Sequence, residues 1–127
     1  MVTKILLIGL AGALGTLARY GLSGFVHRFS SNGFPWGTLA ANALGCLLFG
    51  LVWSIAEHRL PLSDQYRTVL LVGFMGAFTT FSTLTFEIGQ MLRDEHFVKA
   101  TNYFLAQNVL GILLLFFGFA LGRSISA

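Results

Sequence analysis

The densest chemistry in the chain lies in the string Gly73–Glu87, GFMGAFTTFSTLTFE. Five hydroxyls (Thr79, Thr80, Ser82, Thr83, Thr85) and one carboxylate (Glu87) fall within nine residues of an otherwise apolar stretch. A hydroxyl offers one donor and two lone pairs without a fixed charge, so a row of them can line a polar path. In a continuous helix some of these hydroxyls back-bond to carbonyls of the preceding turn. The run of polar and β-branched residues after Gly76 predicts instead a break in the helix. Within a membrane a break is tolerated only where the freed backbone is buried or lines a cavity. The exposed carbonyls can then hold a cation, and hydroxyls can line an ion path. Glu87 is the only acid inside an apolar span. It reads either as a relay for protons or substrate or as the end of a polar track near the interface.

Three further groups stand at membrane depth. Asn42 carries two amide donors and one carbonyl acceptor, suited to a bond with a neighbouring helix or to a passing anion. Arg19, next to Tyr20, reads as a structural residue with electrostatic side effects: it can snorkel to the interface, cap a broken helix or draw anions to a vestibule. Thr101, Asn102, Tyr103, Gln107 and Asn108 make the last span polar over part of its length. Asn108 is the deepest, with Phe104 one turn earlier on the same face. This is a second wall of a polar track or a set of interhelical hydrogen bonds. Hydrolytic and redox chemistry find no support, and no enzyme is expected. His27, His58 and His96 fall in connections without metal-ligand spacing. Cys46, the single cysteine, lies in an apolar span with no histidine near it, which reads as inert packing. There is no phosphate loop and no Lys/Arg run to bind nucleic acid.

These residues need elements to hold them. A chain of 127 residues makes one domain, 1–127. Only 10% of its residues are charged and 55% are hydrophobic, which excludes a disordered chain and argues against a soluble globule, where charge covers the surface. A membrane helix needs about 20 apolar residues. Four segments qualify, near Ile5–Phe25, Trp36–Ala56, Val69–Leu92 and Thr101–Leu121. The connections His27–Pro35, Glu57–Arg67 and Arg93–Ala100 are short and polar, and both prolines, Pro35 and Pro61, fall in them. Short connections make sequential helices antiparallel neighbours. Lys4 followed by an apolar run and Ala11-Gly12-Ala13 resembles a signal peptide, but the span continues through Arg19 and Tyr20 and three more follow. The expected fold is an all-α membrane protein with four transmembrane helices, the third broken.

Small residues four apart (Ala11 and Gly15, Ala41 and Gly45, Gly73 and Ala77, Gly118 and Gly122) suit close helix packing. Basic residues orient a membrane protein, yet here they are nearly balanced. Lys4, Arg59, Arg67 and Arg123 would lie on one side, and Arg28, Arg93 and Lys99 on the other. Such a chain can insert both ways and pair as an antiparallel dimer, or a weak bias can fix one topology; the charges alone leave both open. Four short helices leave little room for an internal path, so a path between or beside two subunits is expected.

At this point the residues resemble the Fluc family of fluoride channels, also called CrcB. The marks are Gly12-x-x-Gly15-x-x-x-Arg19-Tyr20, Pro35-x-Gly37-Thr38-Leu39-x-x-Asn42-x-x-Gly45, and Gly73-Phe-x-Gly76-x-x-Thr79-Thr80-Phe81-Ser82-Thr83 followed by Glu87. The likeness covers nearly the whole chain. It implies an antiparallel dual-topology homodimer in the cell (inner) membrane, surrounded by lipid, with two pores for passive fluoride export that relieves toxicity. It implies pore roles for Asn42, Phe81, Ser82, Thr83 and Glu87, and for Asn108 on the fourth helix. It also implies a structural sodium ion held by the backbone carbonyls of Gly76 and Thr79. The chain departs from the family at Leu84, where a second phenylalanine is usual. Leucine has no positive ring edge, so a fluoride site there would be weakened, relocated or absent.

The groups suit a small, strongly hydrated anion. The Asn42 amide and the hydroxyls of Ser82, Thr83 and Thr85 are candidate donors to replace its water. The positive edge of the Phe81 ring can touch it without holding it, and conduction needs binding that permits exit. The main rival is a small multidrug exporter, also built of four spans in dual topology. That class needs a buried acid in its first helix, where this chain has Arg19. A non-transporting assembly subunit is a third reading.

Overall fold

The structure is a computed structural model that describes residues 1–30, 33–58 and 63–126, with His58 and Ser126 in backbone only. Among the described residues, four helical runs are long and apolar enough to cross a membrane. They are α1 (Val2–His27), α2 (Trp36–His58), a composite run over Asp64–Arg93, and α6 (Phe97–Ser126). Each extends beyond the segment marked by hydropathy. Apolar counting stops at the first polar residue, whereas the backbone ladder continues, so His27 ends α1 rather than opening a loop. Arg59 and Pro61 lie outside the described residues.

The third run is a series of pieces. It comprises α3 (Asp64–Thr68), a π-helical stretch (Val69–Met75), α4 (Gly76–Phe78) and α5 (Phe81–Arg93). Between α4 and α5 the backbone is extended, at Thr79 (φ −87°, ψ 160°) and Thr80 (φ −150°, ψ 117°). A π stretch widens the helix and frequently occurs at functional sites. At the far end, α5 stops in a Schellman motif. Glu95 N–H donates to Leu92 O (3.1 Å) and His96 N–H to Met91 O (2.8 Å), with Glu95 at φ +61°.

Backbone-to-backbone approach sets the packing at the ends of α2 and α6 that follow Cys46 and Gly111. There a methyl group added at Gly118 would overlap the Leu47 carbonyl. On the other side of the molecule, Gly15, the one residue of α1 buried in the structure, sits on the Phe74 carbonyl of the π stretch. The spacing of small residues therefore serves helix packing, as lipid offers no hydrophobic drive for it. A second cluster joins α2, α5 and α6 through Leu39, Leu84, Met91, Ala100 and Tyr103. Leu10, Leu14 and Leu17 of α1 and Leu113, Phe116 and Phe117 of α6 face outward, apolar faces that suit lipid.

Candidate functional site

The site forms where the third run loses its helix. In an unbroken helix the Thr80 N–H would donate to Gly76 O. Here it donates to Asn42 Oδ1 at 2.8 Å, and Asn42 Nδ2 donates back to Thr80 O at 3.1 Å. One amide side chain thus takes both halves of a backbone unit. Arg19 Nε donates to Ala77 O at 3.2 Å, which satisfies a carbonyl left open at the end of α4. Thr80 is also the N-cap of α5: its Oγ1 accepts from Thr83 N–H at 3.2 Å. Its hydroxyl donates to Thr83 Oγ1 at 2.9 Å. Gly45 makes room for the break, because a side chain there would strike the Thr79 methyl group.

From Asn42 a row of hydrogen bonds runs across three helices. Asn42 Nδ2 donates to Gln107 Oε1 (3.1 Å), Gln107 Nε2 to the Tyr103 hydroxyl (2.9 Å), and the Tyr103 hydroxyl to Glu87 Oε2 (2.6 Å). Thr38 donates to Glu87 Oε1 at 2.7 Å. Thr38 and Asn42 are one turn apart on α2, as are Tyr103 and Gln107 on α6, so each pair shares a face. Tyr103 and Gln107 are 0% and 7% exposed.

Beside the break opens a groove of about 450 Å³ lined by Asn42, Thr79, Thr80, Phe81, Leu84 and Asn108, among others. Phe81 is 76% exposed, with its ring on the groove rather than in the core. The structure thus brings Asn42, Thr79, Phe81 and Asn108 together. Thr83 is tied to the break through Thr80, and Ser82 Oγ lies 3.5 Å from Thr80 Oγ1. Thr85 takes no place on the groove; its hydroxyl back-bonds to Phe81 O (3.2 Å) and Ser82 O (3.0 Å). Asn108 lines the groove, but its Nδ2 donates to Phe104 O at 2.7 Å. Glu87 reaches the break only through Tyr103 and Gln107. It faces a different cavity, of about 420 Å³, shared with His27, Gln90, Asp94, His96 and Lys99. Gly76 is exposed on an open flank, and Arg19 stands behind α4. Leu84 belongs partly to the core.

The sequence marks Tyr103 and Gln107 as a wall of a polar track or as interhelical hydrogen-bonding groups, without their partners, and gives Thr38 no role of its own. Their signal was the repeat of polar residues one turn apart on α2 and on α6. Depth along the helix says nothing about which face a residue occupies, so it does not tell Gln107, which bonds Asn42, from its neighbour Asn108. No cluster of three or more His, Cys, Asp or Glu fit to hold a metal occurs among the described residues.

Residues 6–119 match the family described as CrcB-like protein, Camphor Resistance (CrcB). The chain is 52% identical over 125 residues to a protein of Solidesulfovibrio magneticus, covering 98% of this chain and all of that one. It is 49% identical over 122 residues to one of Nitrosococcus oceani (96% and 98% covered), and 43% identical over 124 residues to one of Thermus thermophilus (98% and 97%). Each of these three relatives is named fluoride-specific ion channel FluC. With a multi-pass helical architecture and end-to-end similarity at this level, the chain belongs to the CrcB-like family of membrane proteins.

Proposed function

We propose that the chain is a fluoride-selective channel that lets fluoride leave the cytoplasm passively. The observation that carries this reading is the exposed Phe81 ring beside the Asn42-held break, in a groove at membrane depth. An entering fluoride exchanges water for uncharged donors: the Asn42 amide and the hydroxyls of Ser82 and Thr83. The ring edge of Phe81 adds a weak positive contact. Among the described residues none that lines the groove carries a positive charge, so none of them traps the ion, and weak multiple contacts favour passage. Leu84, three residues after Phe81 on the same helix, lines the groove with an apolar surface in place of a second ring. Glu87 ends the polar row, its two oxygens already accepting from Thr38 and Tyr103.

The pathway belongs to a pair of chains in this reading. An antiparallel dual-topology homodimer in the inner membrane would cover the exposed groove and the open flank of Gly76, and would give two pores. The backbone at Gly76 and Thr79 fits a structural sodium ion. The donors are carbonyl oxygens suited to a hard cation, and Gly76 O has lost its usual helical donor, because Thr80 N–H is engaged by Asn42. A bound sodium would supply a fixed positive field and tie two breaks together.

The test is fluoride efflux from liposomes holding the purified protein, read with a fluoride electrode beside a chloride control. Fast fluoride release with chloride retained, reduced at least tenfold by Phe81→Ile, is expected. Absence of fluoride release from folded wild-type protein would sink the reading and return weight to an exporter or an assembly role.

A further inference from the structure

We infer that Gln107 is a positioning residue that sets how tightly the site holds its anion, by competing with that anion for the Asn42 amide. This rests on the conduction reading above.

The Asn42 NH2 has two hydrogens, and both have acceptors in the structure: Thr80 O and Gln107 Oε1, each at 3.1 Å. These bonds differ in kind. The bond to Thr80 O is half of a reciprocal pair with the backbone, since Thr80 N–H returns to Asn42 Oδ1. Giving it up undoes the support of the helix break. The bond to Gln107 joins two side chains and can yield without moving the backbone. An anion in the groove therefore gains the Asn42 donor by displacing Gln107 Oε1.

The orientation of Gln107 is not free. Its Nε2 donates to the Tyr103 hydroxyl, which donates to Glu87. Glu87 accepts a second bond from Thr38, so the carboxylate anchors a row in which every member donates toward it. With Nε2 committed, Oε1 is what faces Asn42. Gln107 both lines the groove and is 7% exposed, so once displaced its oxygen has little water to turn to. An acceptor left unpaired in such a place is costly. The protein thus carries its own stand-in for the anion, and its return helps the ion leave.

The dependence of flux on fluoride concentration tests this, in liposomes with wild-type protein and with Gln107→Met, which keeps length and removes the acceptor. With one net hydrogen bond no longer opposing the ion, the half-saturating concentration should fall about fivefold, with no gain in flux at saturation. An unchanged or raised half-saturation overturns the proposal, because a merely structural role lowers flux at every concentration without moving that midpoint. If Gln107→Met does not fold, Gln107→Leu is read by the same criterion. Wild-type protein that passes no fluoride overturns the conduction reading and this inference with it. Wild-type flux with an unmoved midpoint overturns this inference alone.

Discussion

The two halves of the α2–α6 contact use the same pair of helices and hold them by opposite means. Beyond Cys46 and Gly111, Gly50 approaches Leu115 and Gly118 approaches Leu47, backbone to backbone. Before them, Asn42 meets Gln107 by hydrogen bond, and Tyr103 and Thr38 meet on Glu87. Residue numbers rise together along both helices, so the two run parallel. The first half needs only shape and tolerates no added volume. The second needs particular donors and acceptors, and can exchange one of them. A membrane protein that moves an ion gains from both: a rigid seam as reference, and a polar face able to change partners.

The seam should fail first and hardest. Gly118→Ala puts a methyl group into the Leu47 carbonyl, and the backbone of α2 has no rotamer with which to step aside. Overpacking of this kind costs about 3 kcal/mol. Loss of the folded species in detergent, seen as aggregation in gel filtration, is the expected result. A sharp monodisperse peak with an unchanged melting temperature would show that the seam is looser than the contacts imply.

The polar face should weaken rather than collapse. Asn42→Asp keeps the acceptor for Thr80 N–H but sets an oxygen against Thr80 O and Gln107 Oε1, where the amide donated to both. Two lost donors and a poorly paired charge cost about 2 kcal/mol. The melting temperature should drop while the elution profile stays that of the wild type, and fluoride flux should be lost. Melting unchanged from the wild type would mean that Asn42 does not hold the break.

The same contrast explains what the sequence made legible. Length and hydropathy place the four helical runs because burial in lipid demands about 20 apolar residues each, and small residues four apart mark the seam because close approach has a fixed period. Polar and β-branched residues gather after Gly76, but nothing in their types singles out Thr79 and Thr80 as the two residues with extended backbone. The partners of Asn42 and Glu87 were not legible. Gln107 and Asn108 are adjacent and chemically alike, and only the rotation of α6 tells which one faces Asn42. Both line the groove, and it is Gln107 that meets Asn42 by hydrogen bond. Nor does sequence show that the Thr85 hydroxyl turns back onto its own helix, since back-bonding and pore lining need the same residue type.

The mildest change lies where the polar helix α5 ends, and it separates backbone strain from both kinds of contact. Glu95 closes the Schellman motif at φ +61°, a left-handed conformation in which a Cβ crowds the neighbouring carbonyl. Glycine is the usual residue at this position. Among the described residues the Glu95 carboxylate forms no ion pair, and the neighbouring one is the exposed Arg93–Asp94 contact of 3.7 Å. Glu95→Gly should therefore remove strain and lose little, stabilising the fold by about 1 kcal/mol. The melting temperature should rise slightly, and fluoride flux should match the wild type, because the change leaves Asn42, Gln107 and the seam untouched. A fall in melting temperature would show that the side chain of Glu95, which lines a separate surface cavity with Phe34, Phe97 and Asn102, holds the α5–α6 corner more strongly than its backbone opposes it.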